Sequence, residues 1–381
     1  MLPRLANAKG WKATITPLAS IIGSGFLVLG PILDASYGKF APLVMAGLCL
    51  CAYLFGSAIR FNIVQIEIAA GKRTPLTLKI ETISAWALAF AYIISVSYYL
   101  NLFGAFAVSL TSVDDPFHAK LLTSGMLLLI LMVGWTRGYS ALERMEQVSV
   151  SIKLAIIAGL LVGLALFFFK QASTHELLLN PATQTGWAGV TLAFGLIVTV
   201  QGFETSRYLG DEYDAQTRVK SMARAQWIST LIYMVYIGFL AYIFEPSAIK
   251  LDETAIIDMM VIVAPILPVL LVAAALSAQF SAAIADTSGA GGLFSEVSNK
   301  RLKPKQSYAL LVVVGIALTW SANIFEIISY ASRAFAFYYS LQAGIAVLGA
   351  KRTGQYGHVI AYGALAILGV AIVVFGMPVE G

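Results

Sequence analysis

The residues Ile22, Gly23, Ser24 and Gly25 interrupt the first long apolar run of the chain, residues 11–33. Each glycine costs a helix about 1 kcal/mol relative to alanine, so a helix over this run is predicted to unwind here. One half-helix would end in free carbonyl groups near Ser20, which suit an ammonium group. The other would begin with free N–H groups, which suit a carboxylate. The interruption therefore predicts a binding site or, alternatively, a notch for close helix packing.

A second interruption lies within the apolar run 186–209, at Val198, Thr199, Gln201, Gly202 and Phe203. Two interrupted runs in corresponding positions of two halves of a membrane protein are the best sequence indication of a transporter's midplane site. A zwitterion fits between two such interruptions. We therefore predict that a small solute binds to the residues of both.

Lys153 and Glu204 are ionisable residues inside apolar runs. A lysine at the centre of a membrane helix costs about 2.5–3.5 kcal/mol, so such residues usually face the protein interior and take part in function. Because burial favours the neutral form of a lysine, Lys153 is a candidate for proton exchange. The alternative is that its side chain extends back to the lipid headgroups. Glu204 lies one turn beyond the second interruption and is predicted to act as a gate or a proton relay.

Two serines and a further carboxylate lie in the run 256–292. Ser277 and Ser281 are four residues apart and share a helical face, so they are predicted to meet Lys153 and the inner half of the first run. Serines in membrane helices also bond to their own backbone, which is the alternative. Asp286, which precedes Thr287 and Ser288, is predicted to form a monovalent cation site or an ion pair. The candidate cations for that pair are Arg60, Arg207 and Lys153.

The elements that position these residues are membrane helices. The chain has 381 residues, of which 59% are hydrophobic and 12% are charged, whereas a soluble domain has about 25% charged residues. About 20 apolar residues cross a bilayer, and we predict eleven such runs, called spans 1 to 11. They cover residues 11–33, 40–66, 83–111, 119–136, 146–169, 186–209, 224–244, 256–292, 307–321, 324–349 and 357–377. The eighth is too long for one straight helix and is expected to continue into the cytoplasm.

Loops that are rich in lysine and arginine alternate along the chain with loops that contain few of these residues. The positive-inside rule then places the N-terminus in the cytoplasm and the C-terminus outside. We expect a multi-pass protein of the lipid bilayer at the plasma membrane, which in a bacterium is the inner membrane. The basic loops explain the net charge of +5, so no nucleic-acid partner is expected. Span 1 then runs outward and span 6 inward, which permits an inverted repeat.

Three other charged residues have predicted roles at the membrane surfaces. Glu67 is expected to pair with an arginine of an inner loop. Arg333 and Glu326 are seven residues apart in span 10, which is two helical turns, and are expected to join a network at the outer end. No cofactor, metal site or enzymatic activity is expected, because the cysteines and histidines form no ligand set and no nucleophile or phosphate-binding motif is present.

The motifs of this chain resemble those of one transporter superfamily. Ile22-Gly23-Ser24-Gly25-Phe26 resembles the first-helix motif of the amino acid–polyamine–organocation (APC) superfamily. Gly202-Phe203-Glu204, followed by Asp211-Glu212, is similar to a stretch of its sixth helix. The basic segment 217–225 is similar to the loop that leads into its seventh helix, and Glu67 matches a glutamate near the inner end of its second. The resemblance extends at low density from Trp11 to about Lys305.

The resemblance implies an all-α fold of the LeuT type. Spans 1–5, in residues 1–169, and spans 6–10, in residues 170–349, would form a five-plus-five inverted repeat, followed by one trailing span in residues 350–381. It also implies transport of an amino acid or a related amine by alternating access. Lys153 matches a lysine that, in sodium-independent members, occupies the place where relatives bind sodium. Proton coupling or sodium-independent exchange is therefore implied.

Two residues depart from the family pattern. Val198 stands where many relatives carry an aromatic residue that closes over the substrate. Asp286 stands where relatives carry an arginine or small apolar residues. These departures favour a second hypothesis, an inorganic cation transporter, for potassium or sodium, on the same scaffold.

Overall fold

The computed structural model describes residues 9–23, 25–69, 74–136, 139–210, 213–245 and 251–379. Over these residues the fold is all-helical and contains no β-strand. The α-helices are α1 Lys9–Ile21, α2 Gly25–Tyr37, α3 Ala41–Ala69, α4 Pro75–Val108, α5 Pro116–Thr136, α6 Tyr139–Ser173, α7 Gly186–Gly195, α8 Ala215–Leu240, α9 Ala255–Val263, α10 Leu267–Val297, α11 Pro304–Ser321, α12 Ile324–Arg352 and α13 Tyr356–Phe375. Short 3₁₀ helices cover Gly38–Phe40, Ile197–Val200 and Phe203–Tyr208.

The helices lie on the predicted spans. α1 and α2 correspond to span 1, α3 to α6 to spans 2–5, α7 with the two following 3₁₀ helices to span 6, and α8 to span 7. α10 to α13 correspond to spans 8–11. Six stretches of the described chain are long and apolar enough to cross a membrane. The chain is therefore a multi-pass membrane protein by length and composition.

The eighth apolar run is not one straight helix, as its length predicted. It divides into α9 and α10, with Ala264 in an extended conformation between them (φ −165°, ψ 139°). Pro265 explains the division, because a residue before proline is pushed out of the helical region and proline itself donates no hydrogen bond. α10 does extend beyond the predicted end, as far as Val297. The excess length is thus shared between a separate short helix at one end and an extension at the other.

Two long helices, α4 and α10, form the centre of the bundle. They pack on each other, and α4 also packs on α12 while α10 also packs on α6. In their most apolar windows 72% of the α4 residues and 67% of the α10 residues are buried, against 22% for α13. Large apolar side chains such as Leu166, Ile360 and Ile367 remain exposed on the outer helices. This is the pattern expected of helices that face lipid.

Candidate functional site at two broken helices

The first break lies where the sequence predicts it. α1 ends at Ile21 and α2 begins at Gly25, and the intervening Ile22 and Gly23 are outside both helices. Ser24, which was predicted to take part, lies outside the described residues. The last carbonyl groups of α1 and the first N–H groups of α2 have no partner within their own helices, as at every helix end. The break therefore brings a carbonyl end and an N–H end close together.

The second break is longer than the sequence indicates. α7 ends at Gly195, and the rest of span 6 consists of two short 3₁₀ helices with Gln201 and Gly202 between them. Gly202 has φ +116°, in the left-handed region that favours glycine. The hydroxyl groups of Thr199 and Thr205 donate to backbone carbonyls three residues earlier, at 2.6 and 2.7 Å. Such side-chain bonds compete with the helical ladder, so they accompany the unwinding.

The two breaks lie in direct contact through their glycines. A Cβ atom added at Gly25 would lie 2.6 Å from the Cα of Thr199, and one added at Gly202 would lie 2.6 Å from the carbonyl carbon of Ser20. Only glycine permits such an approach of one backbone to another. The glycines therefore form the close-packing notch that the sequence analysis gave as one alternative, and the other alternative, a binding site, stays a prediction.

All of the described residues that were predicted to bind solute are buried at these breaks, namely Ile22, Gly23, Gly25, Val198, Thr199, Gln201, Gly202 and Phe203. A cavity beside them, lined by Ile21, Val200 and Tyr233 among others, has a volume of about 10 Å³. That is roughly the space of one water molecule. This cavity therefore has no space for an amino acid.

Tyr233 of α8 connects the two breaks, and the sequence analysis missed it. Its hydroxyl lies 3.0 Å from the carbonyl oxygen of Ile21 and 2.6 Å from that of Thr199, and it donates to both. The side chain is completely buried. A signal was present in the sequence, because Tyr233 and Tyr236 lie in the middle of span 7, whereas membrane tyrosines usually lie at the interfaces.

Lys153 points into the protein, and its side chain is 0% exposed. Its Nζ donates a hydrogen bond of 2.6 Å to the carbonyl oxygen of Ala19, in the last turn of α1. A cation is favourable there, because a helix presents the negative end of its dipole at its C-terminus. Lys153 thus faces the protein interior, as predicted, where it contacts the inner half of span 1, and it does not extend to the lipid headgroups.

One of the two serines that were predicted to meet Lys153 bonds to the backbone of its own helix. Ser281 is buried and donates to the carbonyl oxygen of Ala278, at 3.1 Å within its own helix. Ser277 is half-buried. The alternative that such serines bond to their own backbone therefore describes Ser281.

Glu204 is completely buried below the second break. Its Oε2 accepts hydrogen bonds from the backbone N–H of Gly202, at 3.0 Å, and from the hydroxyl of Tyr339 in α12, at 2.9 Å. The ring of Tyr339 also stacks on Phe203, with centroids 5.1 Å apart. The carboxylate therefore holds the left-handed Gly202 in place and connects the break to α12.

Two further bonds fix the second break to the bundle. The side-chain amide of Gln201 donates to the hydroxyl of Tyr99 in α4, at 2.6 Å. Ser332 of α12 accepts from the backbone N–H of Val198 and donates to the carbonyl oxygen of Gly195. Ser332 thus occupies the gap in the helical ladder where α7 ends.

Several polar atoms around the second break are buried and have no hydrogen-bond partner within the described part of the chain. They are Oε1 of Gln201, Oε1 of Glu204 and Oγ of Ser206. A buried polar atom without a partner costs roughly 1–3 kcal/mol, and most such atoms in proteins bind something. All three atoms lie within six residues of the chain, at or directly after the second break.

Asp286 is buried between α10 and α4, where it accepts a short hydrogen bond from the hydroxyl of Ser95. Two of its three candidate cations bond elsewhere. Arg60 and Arg207 each donate to a glutamine of another helix. The other role predicted for Asp286, in a monovalent cation site, stays a prediction.

The charged residues at the surfaces have identifiable partners. Glu67 accepts from Arg218 at 2.8 Å, which is the predicted pairing with an inner arginine. Arg333 donates to the carbonyl oxygen of Gly376, at 3.0 Å from its Nε, and so ties the end of α13 to α12. Glu326 and Asn323 form a capping box at the start of α12. The backbone N–H of Asn323 donates to the carboxylate of Glu326, and the backbone N–H of Glu326 donates to the side-chain oxygen of Asn323. The expected joint network of Arg333 and Glu326 is thus replaced by two separate local roles.

Comparison with known proteins gives three similarities. A family model described as "APC superfamily transporter" matches residues 3–376. An uncharacterized protein of Aquifex aeolicus (strain VF5) is 42% identical over 384 residues, which is 99% of this chain and 93% of that protein. A solved structure, the substrate-bound outward-open state of a Na⁺-coupled sialic acid symporter, aligns with a TM-score of 0.57 at 13% identity, covering 98% of this chain and 92% of the other. At that identity the last similarity concerns the fold alone.

Proposed function

We propose that this chain, which belongs to the APC superfamily of transporters, is a secondary active transporter of amino acids or related amines. The observation that carries the proposal is the contact between the two broken helices, Gly25 against Thr199 and Gly202 against Ser20. Unwound backbone inside a membrane protein is tolerated where it is buried in protein or lines a cavity. Two unwound segments that meet at one place therefore support a shared solute-binding site.

The chemistry of the breaks suits a zwitterion. The N-terminal end of α2 offers N–H groups and a positive dipole end to a carboxylate. The carbonyl oxygens of Ile21 and Thr199 converge on the hydroxyl of Tyr233, and each has a second lone pair for an ammonium group. We assign the predicted set to solute binding, namely Ile22, Gly23, Ser24, Gly25, Val198, Thr199, Gln201, Gly202 and Phe203.

Lys153 and Glu204 are assigned to proton coupling. The bond from Lys153 to Ala19 holds the inner half of span 1, and a hydrogen bond from a charged donor is about twice as strong as a neutral one. Loss of the proton would therefore weaken the attachment of α1 to α6. Glu204 holds Gly202 in the second break, so protonation there would loosen the opposite wall. Sodium-independent transport, as proton-coupled uptake or as exchange, follows from these assignments.

An inverted repeat is supported by which helices pack together. α3 packs on α8, α4 on α10 and α5 on α11, and each pair joins spans that are five apart. We propose two five-span halves, residues 1–169 and 170–349, with a trailing span in 350–381. The N-terminus would be cytoplasmic and the C-terminus outside, in the plasma membrane.

A second candidate is an inorganic cation transporter for potassium or sodium. The observation that favours it is Asp286, a carboxylate buried between the two central helices and bonded to Ser95. On this hypothesis Ser281 and Ser277 would supply further oxygen atoms along α10. An organic solute would then not be required.

Ligand-induced thermal stabilisation of the purified protein separates the two candidates. A ligand that binds only the folded state stabilises it by RT ln(1 + [L]/Kd), about 2.7 kcal/mol at a hundred times its Kd. The probes are single amino acids, primary amines, NaCl and KCl at matched ionic strength. We expect stabilisation by an amino acid or amine, and its loss in Gly202→Ala. Stabilisation by sodium or potassium alone, with no organic ligand, would favour the cation transporter.

A further inference from the structure

A groove separate from the broken helices lies where three helix ends meet. It is bounded by the C-terminal ends of α3 and α12 and by the N-terminal end of α4, and has a volume of about 420 Å³. We call it the inner groove, because all three ends adjoin basic loops that the positive-inside rule places in the cytoplasm. Its volume is within the range of small-molecule sites, about 300–1,000 Å³.

The rim of the inner groove is positively charged. Lys351 and Arg352, the last two residues of α12, line it and are exposed. The carboxylate of Glu81 also lines the groove, but it pairs with Arg207 at 3.4 Å. A ligand that enters therefore meets an excess of positive charge. In the sequence Lys72 and Arg73 directly precede Thr74, a further residue of the lining.

The walls of the inner groove are apolar. Ile66, Leu76, Ile345 and Leu348 line it, and Leu76 is 55% exposed. Ile68 of α3, close to this lining, is 69% exposed. A free inorganic anion would use only the basic rim, whereas a phospholipid places its phosphate on the rim and its acyl chains on the apolar surface. Basic pockets between helices on the cytoplasmic side are suited to such headgroups.

We propose that the inner groove binds the headgroup of an anionic phospholipid of the cytoplasmic leaflet, with Lys351 and Arg352 at the phosphate. The bound lipid also contacts groups that hold the second broken helix. Asn62 lines the groove and donates to the backbone oxygen of Gln342 at 2.8 Å, and the side chain of Gln342 accepts from Arg207. Occupation of the groove should therefore stabilise the inner end of span 6.

The test is native mass spectrometry of the full-length protein with phosphatidylglycerol or phosphatidylethanolamine. Each basic residue near a lipid surface contributes roughly 1 kcal/mol, so the double variant Lys351→Gln, Arg352→Gln should bind phosphatidylglycerol about 30-fold more weakly. The matched control is Lys300→Gln, Arg301→Gln, two exposed basic residues on the same side of the membrane and outside the groove. It should bind as the wild type does.

Three results would overturn the proposal. They are equal binding of phosphatidylglycerol by the double variant and the wild type, no preference over phosphatidylethanolamine, and displacement by millimolar inorganic phosphate, which would identify a free-anion site. A second variant, Leu76→Glu, changes the apolar wall at an exposed position and should also weaken binding. None of these measurements depends on transport, so their outcome is independent of the proposed function.

Discussion

Removal of one hydroxyl group, in Tyr233→Phe, tests whether the two breaks are tied together as described. The ring would remain, packed on Phe26 with centroids 5.5 Å apart. The hydroxyl that donates to Ile21 and Thr199 would be lost. Both carbonyl oxygens would then be buried without this donor, in a region where water has little space.

The expected magnitude follows from the two distances, 3.0 and 2.6 Å. The shorter lies within the usual O–H···O range and the longer at its limit, and one proton serves both acceptors. Leaving buried acceptors unsatisfied costs roughly 1–3 kcal/mol, and we expect Y233F to lower the free energy of unfolding by about that amount. The midpoint of thermal unfolding should fall by roughly 1–4 °C.

Tyr236→Phe is the matched control, one turn further along α8. Tyr236 is also completely buried and also packs on Phe26, but its hydroxyl makes a single long bond, of 3.3 Å, to Leu27. We expect a loss of about 0.5 kcal/mol. The assay is thermal unfolding of both variants and wild type in the same detergent. If Y233F is no less stable than Y236F, the hydroxyl does not tie the breaks together.

Three further predictions concern other parts of the site and its supports. Gly202→Ala, at φ +116° and without space for a Cβ atom, should abolish ligand-induced stabilisation, whereas Gly125→Ala, with no heavy atom within 4 Å of the new Cβ, should leave it unchanged; equal behaviour of the two would contradict the close contact. Glu204→Gln keeps an acceptor for Gly202 but cannot ionise, so uptake should lose its pH dependence, and an unchanged pH profile would exclude Glu204 as a coupling group. Asp214 caps α8, and the hydrogen bond from the backbone N–H of Thr217 holds the pKa of its carboxyl below the ordinary value of 3.8. The stabilisation that the ionised carboxylate gives the folded protein is therefore complete above pH 3.8. It is lost as the pH falls through the lower folded-state pKa. Asp214→Ala should lower the unfolding midpoint at neutral pH, with the difference from wild type closing only below pH 3.8, and a difference independent of pH would refute this role.

The breaks and the buried lysine could be predicted from the sequence because their signals are local. Gly23 and Gly202 weaken a helix wherever it folds, and Lys153 is costly in lipid whatever surrounds it. The division of span 8 also had a local signal, in Pro265, but hydropathy alone joins α9 and α10. The sequence analysis therefore predicted only that this run is too long for one straight helix, because a run of apolar residues carries no information about missing backbone donors.

The partners of the broken segments could not be predicted because they come from distant parts of the chain. Tyr233 is 212 residues from Ile21, and Tyr339 is 135 residues from Glu204. Which hydroxyl reaches which carbonyl depends on how α8 and α12 pack against the breaks. The position of Tyr233 in the middle of span 7 indicates an interior side chain, but it does not identify the carbonyl groups that the hydroxyl contacts.

Uptake into proteoliposomes tests the central claim most directly. The claim is that the chain moves an amino acid or amine with proton coupling through Lys153. With sodium absent and the outside more acidic than the lumen, wild-type protein should accumulate a radiolabelled amino acid or amine. Lys153→Ala should abolish the effect of the pH gradient, whereas Lys170→Ala, an exposed position in the last turn of the same helix, should preserve it. Uptake that requires sodium, pH-dependent uptake by Lys153→Ala, or movement of potassium or sodium alone would contradict the account.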